Sequence, residues 1–320
     1  MNNKHKDGLS VAFAFMGYAI FGFSFIFSKR ALDITTPFVL LSVRFTVAFL
    51  ILNCILAVKR IKLNIKKPQI GLLLLLGILQ PVCYFIFESY AVTLVSTSFV
   101  GTVVALVPVA SVVFGFMLLQ ERVTPFQIIW SCLSVAGVFL TTFGQPAGTF
   151  SLVGLMLLLG AVCTTSLYNV LSRKISNEFG TFERTYVMFG LGSITFTSIA
   201  LIQSRSSFTE LVIAPLCNPD FWVPVVFLAG ASSVGAFLML NYAMTHISVA
   251  RASIFANMTT VISILAGVLI LKESFGTYQV IGSAIVVVSA YCVNRPRKRN
   301  PSAQATIKTE MQHSIPREEP

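Results

Sequence analysis

Two charged residues stand inside long apolar stretches of this sequence: Arg44, about seven residues into one run, and Glu88, near the end of the next. A guanidinium at that depth can bind a carboxylate, lock helices through an ion pair, or snorkel along its stem to the interface. A carboxyl at that depth can take up and release a proton, pair with Arg44 at a similar depth, or face the interface. Tyr84, Tyr168, Asn169, Asn241 and Asn257 add polar groups within apolar runs. In hydrocarbon an Asn must find a partner, so such groups either join helices or line a cavity with a few orienting contacts. Covalent chemistry has no constellation here. The three histidines (His5, His246, His313) are dispersed, and no HExxH, GxSxG, paired aspartates or P-loop occurs. Six dispersed cysteines lack metal-ligand or CxxC spacing and read as small apolar packers. These features argue against an enzyme or an ATP-driven pump, and they imply no cofactor or metal. Coupling to protons or another ion stays open.

Elements that could hold these groups must be apolar throughout. Hydrophobic residues make up 55% of the 320 residues and charged ones only 11%, where a soluble protein carries roughly 25% charge. The net charge of +11 sits in loops and tails beside apolar runs, which suits orientation and anionic lipid, not nucleic acid. A helix needs roughly 20 apolar residues to cross the hydrocarbon core. On that measure ten spans are expected, at 9–28, 38–58, 70–90, 95–119, 126–144, 150–172, 184–203, 221–242, 249–271 and 277–294. The first is too long for a signal peptide and lacks a cleavage site. With the N-terminus in the cytoplasm, 18 of the 23 Lys and Arg fall on the cytoplasmic side, Arg184 among them. Both termini are therefore expected inside, in an inner (cytoplasmic) membrane, with 297–320 a disordered polar tail.

The chain also repeats itself. Residues 90–135 lie without a gap on 242–287, and 13 of these 46 positions are identical, where apolar composition alone gives about four. Among the matches are Tyr90 with Tyr242, Ser111 with Ser263, Gly115 with Gly267, Glu121 with Glu273 and Gln127 with Gln279. The expected units are 1–146 and 147–296, five helices each. An odd number inverts the second copy, so Glu121 and Glu273 fall on opposite faces of the membrane. Inverted repeats are the arrangement from which alternating access follows. Each Glu ends one helix and precedes another, and is expected to accept N–H groups of the following helix as a structural hinge. Pro81, Pro108 and Pro224 interrupt helical hydrogen bonding within spans and are the expected kinks. Thr260 stands at the repeat position of Pro108, so the two copies differ there.

Leu119-Gln120-Glu121-Arg122-Val123-Thr124 with Gln127, then Ser134-Val135-Ala136-Gly137-Val138, resembles the EamA-type repeat of the drug/metabolite transporter superfamily. Leu271-Lys272-Glu273-Ser274-Phe275 with Gln279 and Gly282 is similar to its second copy. Gly22-Phe23-Ser24 with Lys29, Arg44-Phe45, and Tyr168 with Arg173-Lys174 extend the resemblance over about 9–294. It implies an all-α, ten-helix membrane transporter with its cavity between the halves, carrying amino acids, other metabolites or toxic compounds. The first expectation is export of amino acids or related solutes, with Arg44, Glu88, Tyr84, Tyr168, Asn169, Asn241 and Asn257 as cavity candidates. Efflux of lipophilic cations attracted by Glu88 is the rival, and a non-transporting sensor or scaffold on this fold is the alternative of another class. Expected partners are a small-molecule solute and the bilayer, with no nucleic acid. The oligomeric state is open, a homodimer among the options.

Overall fold

The computed structural model describes residues 3–61, 63, 68–119, 124–143, 151–175, 178–246 and 249–293. Glu121 and the tail 297–320 lie outside the described residues. Among the described residues there is no strand. Eight helices among these residues are long and apolar enough to cross a membrane. They are α1 (Asn3–Leu32), α2 (Pro37–Lys59), α3 (Ile70–Leu94), α4 (Thr97–Leu118), α5 (Pro125–Phe143), α6 (Leu152–Ile175), α7 (Thr181–Gln203) and α8 (Pro219–Ala243). Two further helices, α9 (Val249–Ile270) and α10 (Thr277–Val293), hold shorter apolar stretches at Phe255–Ile270 and Thr277–Cys292. The chain is an all-α, multi-pass membrane protein. In lipid each backbone group needs an internal partner, and helices supply it. Hydroxyls inside the spans comply by bonding to carbonyls of the preceding turn, as Thr102 does to Ser98 and Thr164 to Gly160.

The helix ends follow local rules. Pro37 occupies the first position of α2, where its missing N–H costs nothing. Arg60 ends the helix in the left-handed region, φ 49°. At the end of α9, Lys272 adopts φ 56° and the Glu273 N–H reaches the Gly267 carbonyl six residues back at 3.1 Å. That bond spans one residue more than the six-to-one bond of a Schellman motif, and the left-handed residue at 272 ends the helix as such motifs do. It turns the Glu273 side chain back along the bundle.

Three helices are interrupted. In α3, Gln80 leaves helical geometry (φ −146°, ψ 114°) beside Pro81. In α4, a turn at Ala105–Leu106 lies just before Pro108, which has no N–H for the Val104 carbonyl. In α8, Pro224 precedes a wide-turned stretch, Phe227–Ala236. The packing is pairwise. α2 lies along α7 and α5 along α10, while α1 rests against α8 and α9 and α6 against α3 and α4. An aromatic core gathers at Phe45, whose ring meets Phe85, Phe189 and Phe196 at 5.1–5.4 Å.

Candidate functional site

Arg44 is buried, 1% exposed, in the second turn of α2. Its Nε donates to Ser233 Oγ at 3.0 Å and its Nη2 to Ser232 Oγ at 3.2 Å. Both serines belong to the wide-turned stretch of α8, which turns two consecutive side chains toward one guanidinium. The guanidinium carbon also stands 4.3 Å from the Phe85 ring centre and 5.6 Å from that of Phe45. Cation–π contact of this kind partly offsets lost hydration. Tyr84 packs edge-on against Phe85.

Glu88 lies one turn beyond Tyr84 and is 2% exposed. Its Oε2 is buried and makes no hydrogen bond. The Arg44–Glu88 ion pair, one of the readings open from sequence, is not formed: among the described residues no pair within 4.0 Å joins them. Two serines and two rings hold the arginine instead. An unpaired carboxylate oxygen in a dry interior is costly, whereas a protonated carboxyl or a cationic neighbour satisfies it. The site therefore holds an anion-binding group and a proton- or cation-accepting group close together.

A second polar cluster gathers Tyr168 and Asn241, two sequence candidates, around a residue that sequence reasoning placed among the loop charges. Arg184 lies in the first turn of α7 and is 5% exposed. Its Nη1 donates to Ser172 Oγ at 2.8 Å and to the Ser172 carbonyl at 3.4 Å. Beside it, Asn241 Nδ2 donates to Thr185 Oγ1 at 3.2 Å, and Tyr168 is buried on α6. Asn169 is half-buried on the same helix. Asn257 is buried on α9 with its Oδ1 unpartnered.

Glu273 makes a third feature. One carboxylate oxygen accepts from Thr97 N at 2.7 Å and Thr97 Oγ1 at 2.8 Å, the other from Ser98 N at 3.0 Å and Ser98 Oγ at 2.6 Å. This carboxylate clasps the N-terminus of α4, where free N–H groups and the helix dipole favour negative charge. The expectation that it caps the following helix is corrected, because the turn at Lys272 aims it at α4. The N-terminus of α10 is served by Gln279, which accepts from Gly276 N at 2.6 Å. Gln127 does the same for Thr124 N at 3.0 Å ahead of α5.

The EamA-like transporter family model matches residues 8–143 and 152–295. The uncharacterized transporter YcxC of Bacillus subtilis is 31% identical over 288 residues, covering 89% of this chain and 92% of the relative. An uncharacterized transporter of Archaeoglobus fulgidus is 23% identical over 86% of this chain and 95% of its own. A protein of known crystal structure shares the fold with TM-score 0.65 at 19% identity, covering 95% of this chain and 99% of that one.

Proposed function

Since the chain belongs to the EamA-like transporter family, we propose that it is a secondary transporter exporting small solutes that carry a carboxylate, amino acids or related metabolites. The observation that carries this reading is the Arg44 site. An arginine at membrane depth costs at least ~2.5–3.5 kcal/mol. Here it is buried with hydroxyls and rings as its partners and no paired carboxylate. A solute carboxylate would add the direct ion pair that Glu88 does not make and can replace two serine hydroxyls by one bidentate partner. Glu88, with its unsatisfied oxygen, is the proton-coupling residue in this reading. It is also the specific observation favouring the second reading, efflux of lipophilic cations.

Motion follows from two halves, 1–146 and 147–296, related by inversion, with both termini in the cytoplasm and the chain in the cytoplasmic membrane. Several contacts support the two-half reading. The second helix of one half lies on the second of the other, and likewise the fifth. Gln127 and Gln279, 152 residues apart, serve the same role at the starts of α5 and α10. The kinks at Gln80–Pro81 and in the Phe227–Ala236 stretch occur in the third helix of each half, and the second of them supplies the two serines at Arg44.

One flux assay tests the reading. In proteoliposomes loaded with labelled amino acids and organic acids, Arg44→Ala should lower carboxylate-solute flux about tenfold or more, the loss of one charge-assisted contact. Glu88→Gln should leave exchange between equal solute pools intact and abolish its response to a pH gradient. Flux of lipophilic cations that survives Arg44→Ala and disappears in Glu88→Gln would establish the second reading in place of the first.

A further inference from the structure

Arg44 has a counterpart that its depth in the sequence does not reveal. α2 and α7 run antiparallel in one register: Ser42 meets Thr197 at 3.0 Å, Thr46 meets Ser193 at 3.0 Å, and Asn53 meets Tyr186 at 2.9 Å. Each of these pairs of numbers totals 239, so Arg184 stands level with Ile55 of α2, eleven residues from Arg44. At 1.5 Å per residue the two arginines are ~16 Å apart along the helix pair. Each lies in the first two turns of its own helix, and each is buried. The sequences agree as well. Arg44, Val47 and Phe49 fall on Arg184, Val187 and Phe189 at a shift of 140.

The two guanidiniums differ in one respect. The Nε–Nη2 edge is the one that matches a carboxylate side-on with two parallel N–H groups. At Arg44 that edge is filled by Ser233 and Ser232. At Arg184 only Nη1 is engaged, by Ser172, and the buried Nε makes no hydrogen bond. Among the described residues no carboxylate forms an ion pair with it. A nine-tenths buried arginine whose Nε has no acceptor keeps a donor that an anion can use.

We propose that Arg184 is a second station for the anionic group of the solute. It lies at the opposite end of the α2–α7 pair from Arg44 and receives the carboxylate in the alternate orientation of the transporter. This inference rests on the carboxylate-transport reading and adds to it a sidedness. Each arginine serves one membrane face, and the solute's negative group passes between them when the halves exchange conformations. Tyr168 and Asn241 border the Arg184 station and are not shared with Arg44.

The test uses the full chain in proteoliposomes, with saturation measured separately from each face. The probes are labelled alanine, threonine, glutamate and malate, together with their methyl esters, which lack the charge. Arg184→Ala should raise the half-saturating concentration of the acids at least tenfold from one face and less than twofold from the other. Arg44→Ala should do the converse, and the esters should be indifferent to both. Arg184→Lys, which keeps a point charge and loses the fork, should recover part of the loss. If Arg184→Ala does not fold, Ser172→Ala, which frees the guanidinium to turn, should give a smaller loss on the same face. A wild-type chain that transports while the Arg184 variants weaken both faces equally, or neither, or weaken esters as much as acids, overturns the second station and leaves the transport reading standing. A wild-type chain that carries none of the probes overturns both.

Discussion

Glu273→Ala should lower the melting temperature of the detergent-solubilised protein by ~4–5 °C, equivalent to about 3 kcal/mol for a chain of this size. The substitution leaves two backbone N–H groups and two hydroxyls at the start of α4 without their acceptor. Hydrogen bonds to a charged group contribute ~1.5–3 kcal/mol each when dry. Glu273 is half-exposed, so the sum over four bonds is discounted heavily. Glu273→Gln keeps one accepting oxygen and should fall between. The same clasp can be broken from behind. A Cβ on Gly267 would sit 2.4 Å from Glu273 Oε2 and 2.4 Å from Ser98 Oγ, so Gly267→Ala should destabilise by a comparable amount. Because both changes remove one interaction, the double variant should be little worse than either single one. Melting of Glu273→Ala together with the wild type would falsify a stabilising clasp.

Gly282→Val should be nearly as damaging, by about 2–3 kcal/mol, through packing alone. α5 and α10 cross where Gly137 faces Gly282. A Cβ at 282 would meet the Gly137 carbonyl oxygen at 2.6 Å and the Thr141 backbone nitrogen at 2.8 Å. Neither atom can rotate away, because both belong to the backbone of α5. In a bilayer, where lipid is as apolar as leucine, close backbone approach at small residues is what holds helices together. Gly71→Ala is the control: nothing lies within 4 Å of a Cβ there, and its melting temperature should stay unchanged or rise slightly. Equal melting of Gly282→Val and Gly71→Ala would show that the α5–α10 crossing tolerates separation.

The helices were legible because hydrocarbon leaves the chain one option per span, and apolar length plus the breaks at Pro, Gly and charge mark it out. α2, expected at 38–58, is found at Pro37–Lys59, and α7, expected from 184, begins at Thr181. That shift of three residues matters for Arg184, which moves from the edge of a span to its first turn. Whether a charge near a helix start points to water or to the bundle depends on helix rotation, and rotation is set by packing. Counting charges by loop carries no such information. Arg44 was legible as an anomaly, yet Ser232 and Ser233 were not legible as its partners. Two adjacent residues of a regular helix diverge by about 100°, and only the wide turns of Phe227–Ala236 bring them to one ligand. Glu273 was singled out by its duplication, but its partners lie 176 and 175 residues away. No local signal names α4 as the helix it holds.

The clasp at Glu273 carries a consequence for timing as well as for stability. Half of its bonds come from the hydroxyls of Thr97 and Ser98. The residues 152 positions on, which a mirrored clasp at Glu121 would address, are Val249 and Ala250, and these have no hydroxyl to give. A carrier with two equal latches would divide its idle time evenly between its two orientations. In the two-half reading the Glu273 latch has two hydroxyl donors that its mirror image lacks, and each 1.4 kcal/mol between two such latches is a tenfold preference. In the two-half reading, the empty carrier therefore waits with the Glu273 latch shut. On the same reading, solute arriving at the opposite face would find a carrier already facing it, and the solute-dependent stroke of the cycle would be the one that opens this latch.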